Sequence, residues 1–280
     1  MTTESRPLLG AKPSPLMLRI LSAFVILAIV IGAIYAGTYG AYALAILLGG
    51  LALWEFGSLS DGMGSRAPSW LLFPLGAFFA FSGTVLKQVD VNLVLALTLV
   101  GGLAAFLFVP GRRQGLGRWA MGVAGALYIG MPLNYYLLLR TSQPHGLVWA
   151  LFTIFAVVAN DSLALLVGSR IGRHPFFPMI SPRKTVEGAI AGVVGSVIVM
   201  LVGVSAIIGL APLHAIALGI LVGVSAQLGD LVESQMKRIA EVKDSSNLIP
   251  GHGGVLDRLD SILFPPILVY FYVTMFHILQ

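Results

Sequence analysis

Apolar residues along this chain come in long runs separated by short polar stretches, and the repetition of that pattern is its dominant feature. An α-helix of about 20 residues rises about 30 Å, the thickness of a bilayer's hydrocarbon core. The runs 16–36, 39–56, 69–86, 92–109, 119–139, 147–167, 187–209, 212–233 and 262–279 are all near that length and predict nine transmembrane helices. Gly and Trp interrupt the second and third. No gap between runs would house a soluble domain. The expected fold is therefore all-α, a polytopic membrane protein with about nine transmembrane helices. The first run exceeds the apolar stretch of a signal peptide, about 7–15 residues, and reads as a retained helix behind a flexible cytoplasmic N-terminus, 1–15. Residues 16–139 form the N-terminal helices, and 140–280 are the stretch in which the chemistry gathers.

Charge provides an independent check on the threading. Nine spans put the termini on opposite sides. Fifteen of the 17 Lys and Arg then fall on the side of the N-terminus, and only Lys87 and Arg140 on the other. Basic loops favour the cytoplasm, so the N-terminus is expected inside and the C-terminus outside. Loops 168–186 and 234–261 share the cytoplasmic face. The chain is 57% hydrophobic and 10% charged, whereas soluble domains run about 45–50% and about 25%. In that setting the net charge of +5 reads as basic loops, not as an attraction to nucleic acid. There is no cysteine, hence no thiolate ligand or disulfide. A metal would be held by carboxylates, His or hydroxyls, which suits hard cations such as Mg²⁺. Gly188-x-x-x-Gly192 and Gly219-x-x-x-Gly223 would let helices approach closely.

One polar window interrupts this apolar chain. Residues 234–260 hold eight of its 29 charged side chains: Lys237, Arg238, Glu241, Lys243, Asp244, Asp257, Arg258 and Asp260. Just before it, Asp230, Glu233, Ser234 and Lys237 are spaced i, i+3, i+4, i+7 and share one helix face. Asp257 and Asp260 are one helical turn apart. Asp161, beside Asn160, is an acid at membrane depth, where ionisable groups turn inward and carry function by default. Acids alternating with bases suit a metal and a polyphosphate, since cation and Lys/Arg share the phosphate charge. Ser181-Pro182-Arg183-Lys184-Thr185 lies on the other cytoplasmic loop. Pro250-Gly251-His252-Gly253-Gly254 is a turn whose N–H groups could face an anion.

The segment Ser234-x-Met236-Lys237-Arg238-x4-Lys243-Asp244-x-Ser246-x2-Ile249-Pro250-x-His252-Gly253-Gly254-Val255-x-Asp257-Arg258-Leu259-Asp260 resembles the signature of the CDP-diacylglycerol synthases, or phosphatidate cytidylyltransferases. Asn160-Asp161 and Ser181-Pro182-Arg183-Lys184-Thr185-x-Glu187-Gly188 resemble two further segments of that family. The likeness covers about residue 150 to the C-terminus. Before that it rests on hydropathy and a Trp54-Glu55 pair. Val186, Leu163 and Leu165 stand where the family commonly has aromatics. The resemblance implies CTP + phosphatidate → CDP-diacylglycerol + pyrophosphate, in phospholipid biosynthesis. It also implies a divalent metal, usually Mg²⁺, with a second cation as an option, and a homodimer in the inner or plasma membrane of the cell.

Under that resemblance Asp230, Asp257 and Asp260 are expected to hold metal, with Asp244 or Asp161 as a further ligand or support. Lys237, Arg238, Lys243 and Arg258 would bind the phosphates of CTP or the phosphatidate headgroup. Ser181, Arg183, Lys184 and Thr185 would line the same cleft, together with Ser234. His252, Gly253 and Gly254 would shape the pyrophosphate region. Two rivals remain open at this stage. A CTP-dependent lipid kinase would move the γ-phosphoryl to an alcohol, with His252 as base. A cation-coupled transporter would show paired broken helices between repeated halves.

Overall fold

In the computed structural model, residues 15–105, 112–249 and 253–278 are described. Among them, eleven α-helices follow one another: α1 Pro15–Tyr35, α2 Thr38–Gly62, α3 Ser69–Phe81, α4 Val91–Ala105, α5 Arg112–Thr141, α6 Gly146–Ile171, α7 Val186–Val199, α8 Ser205–Ile208, α9 Pro212–Ile239, α10 Leu256–Leu263 and α11 Pro265–Met275. A π-helical turn, Met200–Val204, joins α7 to α8. Among the described residues the strands are confined to an antiparallel hairpin, β1 Pro175–Phe177 and β2 Ser181–Thr185, in the loop between α6 and α7, with an isolated bridge between Ile249 and Gly253.

Five helical stretches are long and apolar enough to cross a membrane: Thr38–Gly62, Gln114–Thr141, Gly146–Ile171, Val186–Ile208 and Pro212–Ile239. The first predicted span is matched by α1, 21 residues long, while the third, fourth and ninth are shorter among the described residues, two of them for identifiable reasons. The third run leaves the helix after Phe81, where the Gly83 N–H donates to Asn134 Oδ1 of α5 (2.8 Å). The ninth run breaks at Pro265-Pro266, whose missing N–H groups cannot continue the ladder begun by α10. α4 has a conventional start, Asp90 Oδ1 accepting from the N–H groups of Asn92 and Leu93.

Of the four hydrophobic clusters among the described residues, the two largest position the site. The first joins α2, α3 and α5 through Phe56, Leu72, Phe79, Ala126 and Ile129, and it continues into Val255, Leu256, Leu259 and Leu263. The second joins α6, the π-helical turn, α9 and α11 through Trp149, Val157, Met200, Leu218, Val222 and Val269. α10, which precedes the predicted ninth span and overlaps only its first two residues, thus belongs to a different core from α11, which carries most of that span. α10 packs its leucines on the N-terminal helices and leaves its acids on the opposite side, at the seam. α7 packs closely on α6: a Cβ at Gly192 would lie 2.6 Å from Asn160 Oδ1 and 2.9 Å from the Asn160 carbonyl oxygen.

Candidate active site

A cavity of about 700 Å³ opens at that seam, within the 300–1,000 Å³ typical of small-ligand sites. Five acids line it, Asp161, Asp230, Asp244, Asp257 and Asp260, with four bases, Arg183, Lys184, Lys237 and Arg258. Residues separated by as much as 99 positions in the chain are brought together by α6, β2, α9 and α10.

α9 supplies one wall. The predicted face is realised: Asp230 and Lys237 both line the cavity, and Ser234 Oγ donates to Asp230 Oδ1 (3.2 Å). The helix ends in a left-handed Glu241 (φ 56°), with the Val242 N–H closing on the Lys237 carbonyl, a common way to satisfy last-turn carbonyls. Lys237 forms an ion pair with the fully buried Glu233 and donates to Asp257 Oδ1 (2.6 Å). Lys184, reaching in from β2, pairs with Asp230. Two lysines therefore sit on carboxylates inside the cavity.

α6 supplies the opposite wall. Gln227 of α9 donates to Asn160 Oδ1 (3.0 Å) and to the Ala189 carbonyl (2.8 Å), and Asn160 Nδ2 donates to Asp161 Oδ1 (3.0 Å). This relay fixes the Asp161 carboxylate. Thr185 is at once the last residue of β2 and the N-cap of α7, its Oγ1 accepting from the Gly188 N–H (3.2 Å). Glu187 accepts from the N–H groups of Arg173 and His174 and meets His174 Nδ1 (2.6 Å), tying the hairpin to the start of α7. Arg183 and Lys184 are thereby delivered by a strand, where the sequence suggests only a loop.

α10 supplies the floor. Asp257 Oδ2 accepts from Ser245 N (2.9 Å), Ser245 Oγ (2.9 Å) and Gly254 N (2.7 Å). Burial would push its carboxyl up. Lys237 and these N–H donors outweigh that and hold it below the ordinary carboxylate range. Asp260, one turn on, is pushed up to about 7 by burial and then by the neighbouring Asp230 and Asp161 carboxylates. Burial is the larger cause, and the two neighbouring acids add to it.

The five acids gathered in one cavity are the observation bearing on a metal. All donors are carboxylate oxygens, the set a hard divalent cation takes. Among the described residues no three acids or histidines converge as a ready-made cage. Mg²⁺ ordinarily uses one or two carboxylates with waters and substrate phosphates, so the residues present fit it.

Not every expected residue reaches the cavity. Arg238 is exposed and donates through Nε to the Ile180 carbonyl (3.3 Å), bracing the hairpin. Lys243 is exposed, and Ser181 sits at the start of β2 outside the lining. Gly253 and Gly254 lie behind Asp257, not on the cavity surface. His252 lies outside the described residues. Gln227 and Ser245 carry no signal of their own in the sequence. Glu55 does, as an acid inside an apolar helix of 25 residues.

A profile of the cytidylyltransferase family matches residues 17–276. The chain belongs to the cytidylyltransferase family. It is 38% identical over 154 residues to a phosphatidate cytidylyltransferase of Bacillus subtilis, covering 54% of this chain and 56% of that protein. It is 31% identical over 204 residues to one of Mycobacterium bovis, covering 72% and 66%. A third, of Staphylococcus saprophyticus, is 33% identical over 184 residues, covering 65% and 69%. The matched region spans between about half and two thirds of these relatives' length. With five helices able to span, the family and the helices together make this a membrane protein with its polar cavity at a helical seam.

Proposed function

We propose that the protein is an integral-membrane phosphatidate cytidylyltransferase: it transfers CMP from CTP to phosphatidate, giving CDP-diacylglycerol and pyrophosphate. The observation that carries this is a single cavity in which five acids and four bases face one another, in a membrane protein of the cytidylyltransferase family. The relatives' names supply the substrates, which come to this chain as part of the proposal. We place the cavity on the cytoplasmic face of the cell membrane, where CTP is, and take the working unit to be a homodimer.

A phosphate oxygen of phosphatidate attacks the α-phosphorus of CTP. A new P–O–P bridge forms, the bond between the α-phosphorus and its bridging oxygen breaks, and the electron pair leaves with pyrophosphate. The phosphomonoester already carries about −1.5 to −2 charge at neutral pH, so no strong base is required. The work is to hold two anions together and spread the charge of the leaving group.

Lys184 and Lys237 rest on Asp230, Glu233 and Asp257. Phosphates entering the cavity draw these ammonium groups toward themselves, with Arg183 and Arg258 beside them. The carboxylates released, Asp230 and Asp257, together with Asp260 and supported by Asp161 and Asp244, would hold Mg²⁺. The cation supplies charge neutralisation at phosphate oxygens.

The test is the purified protein in vesicles containing phosphatidate, given Mg²⁺ and CTP labelled separately at the α- and γ-phosphates. The expected result is α-label in lipid and γ-label in pyrophosphate. Transfer of γ-label to a lipid alcohol would overturn the reading in favour of a kinase.

A further inference from the structure

All the residues that line the cavity come from Asn160 onward, yet the α10 acids are held in place by a residue far upstream. Glu55 of α2 is fully buried. Its Oε1 accepts from Ser246 Oγ (2.6 Å) and Val255 N (2.9 Å), and its Oε2 accepts from Leu256 N (2.6 Å). Ser245 Oγ lies 3.1 Å from Glu55 Oε2 and 2.9 Å from Asp257 Oδ2, so its one proton serves one acid or the other.

We propose that Glu55 is a positioning residue for the reaction, clamping Ser245, Ser246 and the start of α10 onto the N-terminal core so that Asp257 and Asp260 face the cavity. The proposal rests on the cytidylyltransferase reading. α10 has only eight residues, too short to be stable alone. Its N-cap residue is Val255, which offers no side-chain acceptor, so the first N–H groups need one from elsewhere. Glu55 provides it, with negative charge at the end of the helix that favours it. Asp257 binds back to Gly254 N and Ser245 N, so loop and acid move as one piece, and Glu55 fastens that piece. The approach is close: a Cβ at Gly254 would lie 2.5 and 2.6 Å from the two Glu55 oxygens, so only glycine fits between clamp and loop.

Each Glu55 oxygen faces one backbone N–H and one serine hydroxyl, which makes Glu55→Gln a sharp test: on either side the amide N–H groups would face a backbone N–H that cannot accept. Full-length protein in phosphatidylcholine vesicles containing phosphatidate would be assayed for CMP transfer against Mg²⁺ concentration, and for amide hydrogen exchange across 244–260. Supporting positioning of the metal ligands reads as half-saturating Mg²⁺ rising about tenfold, with a comparable fall in kcat, in Glu55→Gln. Exchange at Val255 and Leu256 should quicken while that of α6 does not, and Glu55→Asp, which keeps two acceptors, should recover part of the loss. A loss of active protein with unchanged Mg²⁺ dependence is what a merely structural role gives, and it overturns the proposal. If Glu55→Gln fails to fold, Glu55→Asp and Ser246→Ala carry the same test, with smaller shifts in the same direction expected; unchanged Mg²⁺ dependence in both overturns it. If the wild-type protein transfers no CMP, the reaction assigned above has failed, and exchange at 254–256 alone decides the clamp.

Discussion

Glu55 and Glu233 are both carboxylates with no exposed surface, and they are neutralised in opposite ways. Glu55 meets backbone N–H groups and serine hydroxyls from a loop about 200 residues away. Glu233 meets the ammonium of Lys237 one turn along the same helix, and that ammonium also reaches Asp257. Neutral donors fixed in the backbone cannot leave, so the first arrangement is permanent. A lysine on a flexible stem can be drawn off by a better anion, so the second is exchangeable. The site therefore combines a fixed frame, set by α2 and α10, with movable positive charge, set by α9 and β2.

Removing the movable charge should have the largest effect. Lys237→Met takes away a cation from the cavity and strands Glu233 in the interior. Turnover is expected to fall about 10²–10³-fold, the scale on which one preorganised donor to developing charge acts. Stability should fall by about 3–5 kcal/mol, because a buried acid is left without its partner. Adding Glu233→Gln should restore most of the stability and none of the turnover. Recovered turnover in the double variant, measured by CMP transfer beside thermal melting, would make Lys237 a structural partner only.

Asp260 lies between frame and movable charge, and its titration separates them. Its folded carboxyl is raised to about 7, so protonation opposes Mg²⁺ below that pH. The half-saturating Mg²⁺ concentration is expected to fall about tenfold per pH unit as pH rises toward 7, and to level off above it. The same shift has a stability sign. The raised carboxyl prefers its proton in the folded state, so the metal-free protein loses stability as pH climbs from the unfolded value, 3.8, through about 7. Asp260→Asn should flatten both profiles, and a persistent Mg²⁺ dependence on pH in that variant would assign the titration to another acid.

Close packing behind Asp161 should matter less than charge. Gly192→Ala would press a methyl 2.6 Å from Asn160 Oδ1 and 3.1 Å from Gln227 Nε2, against the relay that orients Asp161. A cost of about 1–3 kcal/mol is expected for such overpacking. The Mg²⁺ dependence should shift in the same direction as for Glu55→Gln, because Asp161 is displaced. A drop in melting temperature with unchanged Mg²⁺ dependence would remove Asp161 from the cation's neighbourhood.

Local spacing made much of this readable beforehand. The i, i+3, i+4, i+7 face of α9 is a helical pattern written in one segment, and it folds as expected. So does the pairing of Asp257 with Asp260 on α10. Boundaries set by long-range contacts were not readable: the third run ends where Gly83 turns to Asn134, 51 residues on. Nor does the apolar run 262–279 show that its first two residues close a separate helix, although prolines at 265 and 266 mark the break and the leucines of α10 join a different core from the valines of α11. What Glu55 holds was hidden for the same reason. Its helix announces an acid out of place, but its partners stand some 190 to 201 residues later, and no period in the chain connects them.

Arg140 provides the smallest effect and the control for the rest. It lies outside the cavity lining, and its Nε and Nη2 both donate to the Ile34 carbonyl (3.1 and 2.9 Å), fastening the end of α5 to the end of α1. Lys would keep the charge but lose the planar fork that lets two nitrogens share one oxygen. Arg140→Lys should therefore lower stability by about 1 kcal/mol, the worth of one hydrogen bond, and leave both kcat and the Mg²⁺ dependence unchanged. This residue holds two helices together just as Glu55 does, at comparable distances. If it too altered the Mg²⁺ dependence, the effect of Glu55→Gln would reflect loosened helices in general. If it did not, the response at Glu55 would belong to α10 and the acids it carries.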